Sequence, residues 1–216
     1  MSSDTAGSGS LQPTVTVVGE AAIRTEPDEA IVSITVSTIT ASPGPALADV
    51  AKRSEALAQL LDELAIVRRD RSTTGVTVTE EFDHTKPGRR SLGHRATAST
   101  SVRLADTELI GRLITRASND LDARIAGPGW RISATNPARL EAATQAAASA
   151  RAKAAAYAAG VDARLGALIA LSEPENSRGM NRPLAFRAAA GSDMHIEAGE
   201  QEVTAIVNAT FALEPA

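Results

Sequence analysis

Cysteine is absent from the 216 residues, and aromatic side chains are scarce: three Phe, one Tyr and one Trp. The first absence removes disulfides, thiolate nucleophiles and Cys-ligated zinc together. The second leaves the core to Val, Ile, Leu and Ala, and withholds the rings on which single-stranded nucleic acid stacks. A net charge of −4 and a pI near 5.5 supply no basic field for a phosphate backbone, so no nucleic-acid partner is expected. No run of about 18 apolar residues occurs, so no transmembrane helix is expected. Residues 1–13 (MSSDTAGSGSLQP) have neither a basic start nor an apolar stretch, and read as a disordered tail rather than a signal peptide. The expected compartment is cytoplasmic, with an exported chain whose signal was removed as the alternative.

What is present is well punctuated. Thr14 to Glu20 is a short β run closing on Gly19, and Pro27-Asp28 precedes a strand in which Ala30, Val32, Ile34 and Val36 alternate with mostly polar neighbours. Ser42-Pro43 reads as a cap and first helical residue. The helix that follows carries Leu47, Val50, Ser54, Leu57, Leu61 and Leu64 on one face, and Asp49, Lys52, Arg53, Gln59 and Asp62 on the other. Val76 and Val78 mark a strand reaching about Phe82, His84 to Gly93 a polar hairpin loop, and Arg95 to Leu104 the return strand. Asp106 caps a helix bearing Leu109, Ile110, Leu113, Ile114 and Ala117, and Arg124 to Ser133 is a strand bulged at Gly127-Pro128-Gly129. Asn136-Pro137 opens the longest helix, whose expected inner face is Leu140, Ala143, Ala147, Ala150, Ala154, Tyr157 and Ala158, with Gly160 as its stop. Leu165 to Ser172 and Val203 to Leu213 are strands, the last alternating cleanly enough to serve as an exposed sheet edge. Residues 173–200 show neither period and read as a long loop.

The order β-β-α-β-β-α-β-α-β-β, with short polar links, implies an α+β fold: one or more antiparallel sheets with three helices packed on one face, in one domain over 14–216.

A catalytic or ligand-binding constellation does not emerge. His84, His94 and His195 lie far apart; Glu80, Phe82 and His84 share a strand face, but a metal needs three or four converging ligands, so a solvated strand end is the better reading. Gly127-Pro128-Gly129 lacks dinucleotide-binding spacing. Ser172-Glu173 has no paired base, and Glu80-Glu81 no apolar pocket to raise a pKa. Arg68-Arg69 with Arg71 follows a helix C-terminus, where the dipole favours cations; Arg89-Arg90 sits in a loop; Trp130 is a core residue. No catalytic residue, metal ligand or cofactor is assigned.

The punctuation, taken in order, resembles the SIMPL (DUF541) family. The resemblance rests on Val17-Val18-Gly19-Glu20, Pro27-Asp28-Glu29-Ala30, Thr73-Thr74-Gly75-Val76 and Gly93-His94-Arg95-Ala96, then on Arg151-Ala152-Lys153-Ala154, Leu165-Gly166, Leu171-Ser172-Glu173 and Val203-Thr204-Ala205. It spans about residues 14–213. It implies an α+β fold common among exported bacterial proteins, including a periplasmic and outer-membrane antigen group that assembles into rings, with associations to stress tolerance and no agreed catalytic residues. His94 stands where the family tends to have Tyr. The expected function is therefore a non-enzymatic oligomerising or protein-interaction module, a homo-oligomer; the alternative is a small-ligand or metal-binding protein.

Overall fold

The computed structural model describes residues 12–83, 90–174, 182–183 and 198–216. Expectations for the tail, for His84 and His195, for Arg89 and for most of the 173–200 loop lie outside the described residues. The elements run β1 (Thr14–Thr25), β2 (Glu29–Thr40), α1 (Pro43–Glu63), a 3-10 turn (Arg68–Asp70), β3 (Arg71–Asp83), β4 (Arg90–Leu104), α2 (Thr107–Leu121), β5 (Arg124–Arg131), α3 (Pro137–Gly160), β6 (Ala163–Ser172), β7 (Arg182–Pro183) and β8 (Gln201–Pro215). Every strand pair is antiparallel, which is the expected α+β fold. Three details differ: β1 continues through Gly19 to Thr25, the two-residue β7 joins the series, and β4 begins at Arg90, inside the stretch expected to be loop, because Arg90 to Gly93 pair with the end of β3.

Two compact units divide the chain, each with its own sheet, so the helices are shared between two sheets rather than laid on one. One unit holds β2 to β5 in the order β3-β4-β2-β5, the split β-α-β plan, with α1 and α2 against the sheet. Period-2 patterning produces it: Ala30, Val32, Ile34 and Val36 are fully buried, while Ser33, Thr35 and Ser37 point away from the helices and are half-buried. Thr35 and Ser99 share a 2.9 Å hydrogen bond on that face. Leu57 and Leu61 of α1 meet Ile110, Leu113 and Ala117 of α2 in one core cluster, and Val50 packs with Val36, Ala96 and Ala98 in another. Each large aliphatic side chain removed from water there contributes about 1.5–3 kcal/mol. Asp106 caps α2 as expected, its carboxylate accepting from the Glu108 and Leu109 amides. Ser42 occupies the cap position of α1, but its hydroxyl makes no cap bond. Arg53 departs from the solvent face assigned to it: its guanidinium donates to the carbonyls of Ser37 and, at 2.7 Å, Leu121, tying α1 to the ends of β2 and α2. A long stem with a forked donor reaches backbone that a helical-wheel reading places out of range. The bulge at Gly127-Pro128 is present, opposite a register break between Ile31 and Ser33, and Trp130 packs against the core.

The other unit holds the sheet β1-β8-β6, with β7 beside β8 and α3 across one face. Here two expectations fail. β8 is the centre of its sheet: β1 pairs with it at every position from Thr14↔Ala212 to Thr25↔Gln201, and β6 takes its other side. Alternation records which face is buried and is silent about lateral neighbours. The inner face of α3 is as expected at Ala150, Ala154 and Ala158 and different elsewhere. Ala138, Ala142, Ala146, Ala150, Ala154 and Ala158 are buried, whereas Leu140 is 77% and Tyr157 58% exposed. A strict spacing of four drifts around the helix by about 40° per step, the ridge of i±4n rows, and does not stand out from a 3.6 period in a helix that is mostly alanine. Gly160 remains helical, and Asp162 adopts the left-handed conformation after it (φ 54°).

Candidate interaction surface

The residues in which sequence suggests chemistry are dispersed or already engaged. Glu80 is exposed and stands opposite His94 across the β3–β4 ladder, a neighbour that the sequence reading did not pair with it. His94 Nδ1 is buried without a hydrogen-bond partner, but no group of three or more metal-ligating side chains forms among the described residues. Glu81 is held by Arg95 at 2.5 Å. Arg71 reaches back to α1, donating to the Ala58 carbonyl at 3.0 Å and pairing with Asp62. Ser172 and Glu173 are both exposed at the end of β6.

Two open cavities lie in the β2–β5 unit. One, of about 320 Å³, runs between α1 and β3 past Ser54, Asp62, Arg71, Thr73 and Thr100. The other, of about 390 Å³, is walled by Asp28, Glu29, Arg69, Asp70, Arg103 and Ser133. Most of their charges are paired: Asp28 accepts from the Ser133 amide and hydroxyl at 2.7 Å each, and Arg103 and Glu29 pair with Asp70 and Arg131. A nucleophile next to a base, or an acid next to a differently placed base, is what chemistry requires, and neither cavity presents one. The pKa shift that stands out belongs to Arg116, raised by hydrogen bonds to Glu63 and Asp120 on an exposed surface; it titrates far above neutral pH.

The backbone offers more than the side chains. Among the described residues the two sheets have four lateral edges, and three are interrupted. β3 carries register breaks at Thr73/Gly75 and Glu81/Phe82, β5 holds the Gly127-Pro128 irregularity, and β6 breaks twice, between Leu165 and Leu168 and between Leu168 and Ala170. Such bulges twist an edge away from a straight partner. β1 is unbroken over its twelve residues. The Leu213 amide donates to the Pro13 carbonyl at 2.8 Å, which sets the ladder's phase: odd-numbered residues of β1 bond β8, and even-numbered ones turn their N–H and C=O outward. Lys153 of α3 supports this phase independently, donating to the outward carbonyl of Val18 at 2.6 Å. Beyond that capped carbonyl, the outward groups of Glu20, Ala22 and Arg24 meet no backbone partner among the described residues. Their side chains are exposed on the sheet face opposite α3.

The SIMPL family model, described as a protein of unknown function (DUF541), matches residues 15–211. The chain belongs to the SIMPL family. No curated protein matches it. The match confirms the resemblance drawn from the punctuating motifs, and the structure says what several of those SIMPL landmarks do. A Cβ on Gly19 would sit 2.6 Å from Ala150 Cβ and N and closer still to the Ala146 carbonyl oxygen, so the glycine is what lets α3 lie on β1. Gly93 has φ 110° and faces the Thr40 carbonyl. A Cβ on Gly166 would lie 2.8 Å from Glu214 Oε1. Asp28 fastens the start of β2 to Ser133, and Lys153 covers part of an edge. Each is a structural task. Among the described residues no helix is long and apolar enough to cross a membrane.

Proposed function

We propose that this SIMPL protein is a non-enzymatic interaction module that docks a partner strand along the free edge of β1. One observation carries the reading: of the four sheet edges, only that of β1 is straight, and its Glu20–Arg24 stretch is uncapped among the described residues. Natural sheets blunt their edges with bulges, prolines or charges, and an edge left regular is a template for another strand. The role follows the expectation of assembly and relocates it from β8 to β1. Ala22→Pro tests it, because it deletes an outward amide that the monomer does not use. The variant should keep the far-ultraviolet circular dichroism of the wild type and lose whatever association the wild type shows in sedimentation velocity or partner capture. Association that persists unchanged in folded Ala22→Pro would remove β1 as the docking edge.

A further inference from the structure

We infer that the strand taken up by β1 is β1 of a second copy of this chain, running antiparallel about a two-fold axis through Ala22. This rests on the docking role proposed for that edge and names its occupant.

The phase of the ladder restricts the registers. A hydrogen-bonded antiparallel pair needs outward-facing residues opposite one another, so even-numbered residues must meet even-numbered ones. A two-fold axis adds that the pairing be its own mirror in number, residue i opposite j and j opposite i. Centring on Ala22 satisfies both, and places Glu20 of each copy opposite Arg24 of the other. The two charged side chains within the free stretch thereby become two opposite-charge cross-strand pairs on the same exposed face, related by the axis. Arg24 stands opposite Glu202 on β8 within its own chain, so each side of the joint reads Glu202, Arg24, then Glu20 of the second copy, with signs alternating across the sheet. Centring two residues away, on Glu20, sets Glu20 against itself and brings the Lys153-capped Val18 opposite Ala22. Centring on Arg24 sets Arg24 against itself. Centring on Ala21 or on Ile23 also keeps even residues opposite even ones, but sets Glu20 opposite Ala22 or Glu26 and forms no opposite-charge pair. Of the registers that the phase allows near the uncapped stretch, the one on Ala22 sets Glu20 opposite Arg24.

The flank of α3 fits the same arrangement. A two-fold axis perpendicular to the joined sheet puts both α3 helices on one face. Since α3 lies over β1 and β8, and strands are about 4.8 Å apart, the helices come side by side near the 8–10 Å at which helices pack. The flank turned that way is the one bearing Lys153, with Ser149 and the exposed Tyr157 four residues before and after it.

The experiment measures self-association of the full chain by sedimentation velocity over a dilution series, for the wild type, Glu20→Arg, Arg24→Glu, the Glu20→Arg/Arg24→Glu swap and Ala22→Pro. The expected result is a reversible dimer. Either single reversal should weaken it by about tenfold, since two cross-strand pairs of up to about 1 kcal/mol each turn repulsive. The swap should restore it to within about threefold, and Ala22→Pro should abolish it with the circular dichroism unchanged. A folded monomer at every concentration would overturn the second-copy inference, as would an oligomer indifferent to the reversals. A fluorescent peptide of residues 18–26 separates the two claims in the first case. A monomeric chain that binds the peptide, and loses it in Ala22→Pro, keeps the docking edge and rejects the second copy; one that binds no peptide rejects both.

Discussion

Gly19→Ala is the substitution on which the β1–α3 packing can be judged. The added methyl would be 2.6 Å from Ala150 Cβ and from its backbone N, and nearer to the Ala146 carbonyl oxygen. Two of these three are helix backbone, so no side chain can swing aside. Ordinary contact is about 3.5–4.0 Å, so α3 has to retreat by about 1 Å. Overpacking of this kind costs roughly 1–3 kcal/mol. A retreat of that size also forfeits about a quarter to a half of the dispersion contact that Ala146, Ala150 and Ala154 make with Val17, Val207, Ala209 and Phe211. Alanine buries little area, so this helix depends on proximity more than on transfer free energy. The combined loss should be about 3 kcal/mol. Native-state amide exchange reads it locally: protection of α3 amides that open with the unit should fall by roughly two decades. Urea unfolding gives the same loss as a lowered midpoint with little change in m. A loss under about 1 kcal/mol, or one confined to residues outside β1, β8 and α3, would refute the close-approach reasoning.

Gly111→Ala should act in the opposite sense. It sits inside α2 with nothing within 4 Å of the new Cβ, so the alanine should stabilise by roughly 0.5–1 kcal/mol in urea unfolding. Arg53→Ala removes the donors to Ser37 and Leu121; it should cost about 1.5–3 kcal/mol, and Lys, which lacks the fork, should recover less than half of that. Lys153→Ala should leave unfolding within about 1 kcal/mol of wild type while strengthening self-association a few-fold in sedimentation velocity, because it uncovers the Val18 carbonyl and lengthens the free edge.

The sequence exposes those parts of the fold whose signal is a contrast between apolar and polar residues. β2 shows it, with four fully buried side chains at alternate positions, as does α2, with its Asp106 cap and the Ile110, Leu113, Ile114 and Ala117 stripe. The inner face of α3 lacks that contrast. Its buried and exposed positions are both alanine, so the two large side chains, Leu140 and Tyr157, draw the eye to the wrong side. Arg53 is hidden for another reason: its partners are main-chain carbonyls at the ends of other elements, and main-chain groups leave no mark in composition.

The interaction edge is illegible on the same ground, and this bears on what family membership can carry. Among the landmarks that carry the SIMPL resemblance, Gly19, Asp28, Gly93, Lys153 and Gly166 each have a task in packing, turning or covering, and Glu20 closes the first landmark. Recognition through them therefore transmits the fold and leaves the reaction, if any, unaddressed. The residues proposed to do the docking are different in kind. Glu20, Ala22 and Arg24 act through backbone N–H and C=O, which any non-proline residue supplies, and their availability depends on phase, on the absence of bulges and on where Lys153 reaches. Only the alternation of charge at Glu20 and Arg24 is written in the sequence, and it acquires meaning once the ladder shows that both residues face outward at the same edge.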